Sequence, residues 1–231
     1  MHILKNVCII QLNSVENRYY INYIFFKIEI MLKKENKNYN GEIVAGSLLI
    51  EESRKIALLL LEQVDSNEWN QAITLNNILQ KRSPSTAIRQ ARLIRNRLTT
   101  MEKGLWKLVH EGSSEVTSQA LLATSIKHNH LVGDFLDTVI RQHWKTFKKQ
   151  IDVKDWNLFL EQCAQVEPLI NTWKTTTRSK LKQIVFRILA EAKYIDSTRT
   201  CKLIPVSITP DVKTYLVKNK EDYVMRCMEI T

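Results

Sequence analysis

The 231-residue sequence contains few of the residues that make tight turns, with only five glycines and four prolines. Because tight turns depend on these residues, a β-sandwich with many turns is not indicated. The sequence also lacks a long apolar run. Its most apolar stretch, residues 19–30, is interrupted by Asn22, Lys27 and Glu29, whereas a membrane-spanning helix takes about 20 apolar residues. We therefore expect an all-α, multi-helix protein that does not span a membrane.

The motifs of the common catalytic and cofactor sites are absent as well. The cysteines Cys8, Cys163, Cys201 and Cys227 form no C-x-x-C pair, and no H-x-x-x-H pair occurs, so metal-ligand spacing is not present. Reduced thiols and a cytoplasmic location are expected. There is no glycine-rich phosphate loop and no G-x-S-x-G turn. The contiguous triplet His128–His130 does not have the spacing of a metal-dependent nuclease site. We expect no metal, no cofactor and no enzymatic activity.

Positive charge is the clearest property of the composition. Lysine and arginine total 34 against 24 acidic residues, which gives a formal net charge of +10. A field of this sign favours nucleic acid, an anionic membrane or an acidic protein partner.

The most informative stretch is 83–100, where the sequence predicts one helix. Ser83 can accept a hydrogen bond from the free backbone N–H groups of the first turn, and Pro84 suits the first helical position. Apolar residues recur along one side at the spacing of a helix, at Ala87, Ala91, Ile94 and Leu98. Arg89 and Arg92 lie opposite this stripe, with Arg95 and Arg97 on its flanks.

No aspartate or glutamate occurs in this helix to neutralise the arginines. An unpaired row of guanidinium groups can bind a phosphate backbone, although a solvated basic face is the alternative. A second basic row is predicted on a helix over 178–195. The predicted nucleic-acid-binding residues are Lys81, Arg82, Arg89, Arg92, Arg95, Lys180, Lys182 and Arg187. Five or six phosphate contacts would give a log–log salt slope of about −4.5 to −5.4.

The chain divides into three segments by composition. Residues 1–41 are expected to be an extension or linker. Its first 30 residues are either a strand or short helix packed on the body or lie before the true translation start at Met31, which is the preferred hypothesis. Residues 42–150 form an N-terminal helical domain, in which a helix over 43–64 is expected to be central. Residues 151–231 form a smaller helical domain. In that domain 202–206 is an extended segment, either the wing of a winged-helix module or part of a plain helical cap.

Four segments resemble the BrxA family of type 1 bacteriophage exclusion (BREX) phage-defence systems: SLLIEESRKIALLLLEQ (47–63), SPSTAIRQARLIRNRL (83–98), WKTTTRSKLKQIVFRILAEAKYI (173–195) and LIPVSITPDVKTYL (203–216). The resemblance runs from about Tyr39 to the C-terminus. It implies a small helical protein, comparable to the antitermination protein NusB, that binds DNA. It also implies partners in a methyltransferase, an ATPase and a phosphatase-like protein. No catalytic residue carries over.

Three functions follow as hypotheses. The first is a non-enzymatic double-stranded-DNA-binding component of a BREX system, with binding mainly to phosphates and weak sequence preference. The second is RNA binding in the manner of NusB. The third is a protein-interaction scaffold that does not bind nucleic acid.

Overall fold

The computed structural model describes residue 39 and residues 41–230, so the start at Met31 and all of the predicted extension except residues 39 and 41 lie outside the described residues. Residues 38–231 group into one compact unit. Its helices are α1 (Ile50–Glu62), α2 (Ser66–Asn70), α3 (Pro84–Leu98), α4 (Lys103–Glu111), α5 (Ser114–His128), α6 (His130–Asp134), α7 (Arg141–Lys145), α8 (Val153–Val166), α9 (Thr175–Glu191), α10 (Pro210–Lys218) and α11 (Asp222–Met228).

Shorter helical turns complete these elements. Single 3₁₀ turns lie at Glu42–Ala45 and Pro168–Thr172. A π-helical segment, Gln71–Leu75, continues α2 directly, and a second one, Phe135–Ile140, joins α6 to α7. Within the described residues, strand pairing is limited to two isolated antiparallel bridges, Gln150 with Lys202 and Ile195 with Leu203. The expected all-α class is therefore confirmed, and the segment at 202–206 forms β-bridges only at its first two residues.

The centre of the unit is α5 rather than the helix expected over 43–64. Every residue from Val116 to Ile126 is buried, and α5 packs against α1, α3, α4, α10 and α11. By contrast α1 begins only at Ile50 and buries just Ser53, Ile56 and Ala57. Leu49, the N-cap residue immediately before it, has a left-handed backbone (φ 52°).

An aromatic cluster connects the middle of the chain to its later helices. The Phe135 ring lies 5.4 Å from Trp156, 5.1 Å from Phe159 and 6.0 Å from Phe186, measured between centroids. Such edge and tilted contacts add to the burial of large apolar rings. The π segment, α8 and α9 are packed together by this cluster. The predicted division of the chain near residue 150 stays a prediction.

Candidate nucleic-acid interface

Helix α3 begins and packs as its sequence predicts. The Ser83 hydroxyl accepts a hydrogen bond from the Thr86 N–H at 3.3 Å, and Pro84 occupies the first helical position. The stripe of Ala87, Ala91, Ile94 and Leu98 is buried at 1% exposure or less. One side of α3 is therefore fixed to the core, and the opposite side is left for solvent.

That opposite side displays three arginines, Arg89, Arg92 and Arg95, and all three are exposed. Arg82, in the turn before α3, is exposed as well. Among the described residues none of these four guanidinium groups pairs with a carboxylate. Arg95 lies six positions after Arg89 along the helix, so the row is about 9 Å long. It can therefore reach two or three phosphates of one strand, which are spaced about 3.4 Å along the duplex axis.

Arg97 is the exception among the arginines of α3. Its side chain is buried, and its guanidinium donates hydrogen bonds to the carbonyl oxygens of Ser47 and, at 3.0 Å, Gly46. Burial lowers the pKa of Arg97 to about 10, and the charge of the nearby Glu191 carboxylate opposes this shift. Glu191 itself accepts hydrogen bonds from Ser47 Oγ and the Leu48 N–H, both at 2.8 Å. Arg97 therefore joins α3 to the chain before α1 and to the end of α9, and it offers no charge to a ligand.

Lys81 is also engaged within the protein. Its ammonium group forms an ion pair with Glu52 of α1, and only 20% of each side chain is exposed. The Lys81 backbone N–H and carbonyl both bond the side chain of Asn77, each at 2.9 Å. Together with the bond from Lys55 Nζ to the Ile78 carbonyl (2.7 Å), these contacts fix the turn that precedes α3 to α1.

The three residues of the second predicted row, on α9, do not all lie on one face of the helix. Lys180 and Arg187 are exposed, and because they are seven residues apart they lie on the same side of the helix. The Arg187 side chain is 66% exposed and lies 4.0 Å from Glu191, a loose pair four residues along. Lys182 is half-buried, about 200° around the helix from Lys180, and its charge acts on Cys201. Only Lys180 and Arg187 share the outward face.

A groove beside the α3 arginines was not predicted. It lies between α2 with its π segment and α3, with a volume of about 350 Å³. The Trp69 ring forms part of its wall, and the Arg95 guanidinium carbon lies 4.8 Å from the centre of that ring. Trp69 also packs partly against the core. Its position beside Arg95 could be found only from the packing of α2 on α3.

Metal clusters and membrane-spanning helices are not found in the described part of the chain. No group of three or more His, Cys, Asp or Glu residues in it could hold a metal ion. None of its helices is both long enough and apolar enough to span a bilayer.

These features define a class: an all-helical protein whose most distinctive surface is a row of arginines on one helix, with no carboxylate partner among the described residues. The BrxA family model matches residues 37–220. A BREX protein BrxA from Paramagnetospirillum magneticum is 46% identical over 193 residues, which cover 84% of this chain and 97% of the relative. The BREX protein BrxA of Escherichia coli is 34% identical over 79% of this chain and 86% of its own. The chain belongs to the BrxA family.

The chain is also similar to a solved structure. The crystal structure of an uncharacterized protein from Magnetospirillum magneticum is similar with a TM-score of 0.78 and 44% sequence identity. The similarity covers 84% of this chain and 99% of that one.

Proposed function

We propose that the protein is a non-enzymatic, double-stranded-DNA-binding component of a BREX phage-defence system that acts in the cytoplasm. Its partners there would be the system's methyltransferase, ATPase and phosphatase-like protein. The observation that carries the proposal is the outward row of Arg89, Arg92 and Arg95, which has no carboxylate partner among the described residues. Membership of the BrxA family and the net charge of +10 support it.

Affinity in this proposal comes from phosphate contacts. Six exposed candidates lie on α3, on the turn before it and on α9: Arg82, Arg89, Arg92, Arg95, Lys180 and Arg187. Lys81 is omitted because Glu52 already neutralises it, and Lys182 because it lies on another side of α9. Six contacts correspond to a salt slope of about −5.4. Guanidinium contacts to phosphates carry no base information, so sequence preference is weak.

The test is a mobility-shift titration of a duplex oligonucleotide with the double variant Arg89→Glu, Arg92→Glu. We expect the shift to disappear while the helical circular dichroism stays unchanged, because both side chains are exposed. The matched control is Lys103→Glu, Lys107→Glu, which changes the same charge at exposed positions of α4. Unchanged binding by the α3 variant would contradict the proposal.

The same titration separates DNA from RNA. A-form RNA has a deep, narrow major groove and a different phosphate geometry, so structured RNA should compete less well than duplex DNA. Stronger competition by RNA would favour a NusB-like role. Absence of salt-sensitive binding to either polymer would favour a protein scaffold.

A further inference from the structure

The groove between α2 and α3 combines three kinds of surface. Its floor includes Ile73 and Ala91, which are buried and apolar. Helix α2 contributes Trp69 to the lining, and α3 contributes Arg92 and Arg95. A volume of about 350 Å³ falls within the range of small-molecule sites, and it is far too small to admit a duplex.

Trp69 and Arg95 together make a cationic, aromatic surface. The guanidinium carbon lies 4.8 Å from the indole centroid, which is the distance of a cation–π contact. Nucleobases stack on tryptophan rings and on guanidinium planes. Arg95 makes no ion pair within the described residues, so no carboxylate there competes with a base for the side of the guanidinium that faces away from Trp69.

Arg92 and Asn96 supply the polar groups that a nucleotide needs beside its base. Arg92 is exposed on the groove and lies in the same row as Arg89. It can hold the phosphate that follows or precedes a base lodged in the groove. The Asn96 amide can both donate and accept hydrogen bonds at a base edge.

The turn beyond the groove is held in place independently of any ligand. Lys55 bonds the Ile78 carbonyl, and Lys81 pairs with Glu52. The π segment that follows Trp69 is an arrangement often found at functional sites. The groove is therefore a built feature that lies directly beside the predicted path of the DNA strand.

We infer that this groove binds a single unpaired nucleotide, with its base on the Trp69–Arg95 stack and its phosphate on Arg92. The inference rests on the proposed function, because the arginine row must first hold the strand. It adds a preference for duplexes that contain an extrahelical base. Opening a fully paired duplex costs unpairing and unstacking energy, whereas an unpaired base is already available.

The experiment uses three labelled duplexes of one sequence: fully paired, with one bulged adenine, and with an abasic bulge at the same place. We expect the protein to bind the adenine bulge about tenfold more tightly than the paired duplex. That size of effect is in the range measured for stacking one base on an aromatic side chain. The abasic bulge should bind like the paired duplex, because it bends the DNA without offering a base.

The variants separate stacking from charge. Arg95→Met should reduce the tenfold preference to about twofold or less, and so should Trp69→Ala. Trp69→Phe should keep most of it, since a phenyl ring still stacks. The control is Arg89→Met, which removes an equal charge outside the groove and should weaken all three duplexes alike, so that the ratio is preserved.

The outcomes are distinguishable. Equal binding of the three duplexes by the unmodified protein would overturn the inference and leave the proposed function standing. A preference that Arg95→Met and Trp69→Ala leave unchanged, or that the abasic bulge shares, would also overturn it. Failure to bind any duplex would contradict the proposed function itself.

Discussion

Two arginines of the same helix have opposite roles, and only their surroundings distinguish them. Arg89 is exposed, whereas Arg97 is 3% exposed and bonds two backbone carbonyls near Glu191. Removing the buried guanidinium leaves these two carbonyl oxygens without their donor, at a cost of about 1–3 kcal/mol for each unsatisfied group. Arg97→Met should therefore lower the free energy of unfolding by about 3 kcal/mol. Arg89→Met should change it by less than about 0.5 kcal/mol.

Urea titration followed by circular dichroism measures both values. The test also bears on function, since Arg97→Met should leave the salt slope of DNA binding unchanged wherever the protein is folded. A stability decrease as small as that of Arg89→Met would show that the hydrogen bonds of Arg97 contribute little.

The difference between these residues shows what could not be predicted from the sequence alone. Helical spacing correctly placed Arg89 and Arg92 opposite the apolar stripe, and it placed Arg97 on the flank. The carbonyl partners of Arg97 lie about 50 residues earlier in the chain, in a turn that has no local signal. Lys81 was also assigned to the free surface, because its partner Glu52 lies on another helix.

The lowered pKa of His128 in the folded protein predicts how the free energy of unfolding depends on pH. Burial lowers the pKa of His128, the charge of Arg97 lowers it further, and Glu42 opposes both effects. Because the folded-state pKa lies below the unfolded value of about 6.5, the unfolded chain binds the proton first as pH falls. This contribution to stability is complete above pH ~6.5 and decreases below it, by at most about 1.4 kcal/mol per pH unit.

Urea midpoints between pH 7.5 and 5.5 measure this effect. His128→Gln should flatten the dependence, while His110→Gln serves as the control for removing any histidine. A dependence that is equally steep in the His128 variant would assign the titration to another group.

At the scale of elements, the start of α3 was the most predictable feature. The Ser83 cap and Pro84 are local signals, so no tertiary information was needed.

Ser83→Ala should cost about 1 kcal/mol of stability, because it leaves a backbone N–H of the first turn without its acceptor. Ser83→Asn should retain most of the stability. Thermal unfolding compares them, with exposed Ser85→Ala as the control. Equal melting temperatures for all variants would mean that this cap is dispensable.

The central helix was less predictable than α3, and the reason is its composition. Alanine, serine and threonine are distributed around α5, and it is buried on all sides between Val116 and Ile126. A helix buried all round has no contrast between its faces, so periodicity does not reveal it. The run of leucines in α1 gave a stronger pattern, although Leu58 is 36% exposed in the folded unit. The groove was missed because it depends on how α2 packs against α3.

At the scale of the whole molecule, the question is whether the arginine row of α3 and the Lys180–Arg187 face of α9 bind one duplex together. The C-terminal ends of the two helices are connected through Ser47, which bonds both Arg97 and Glu191. If both faces bind the same DNA, six phosphate contacts give a slope of about −5.4, and removing two should reduce it to about −3.6. We expect this reduction for Lys180→Met, Arg187→Met and, separately, for Arg89→Met, Arg92→Met. Filter binding between about 50 and 300 mM salt would give both values. A side chain that neutralises a phosphate releases counterions from the DNA, so removing that side chain must lower the number released and hence the slope. A slope that changes only in the α3 variant would therefore restrict the interface to α3.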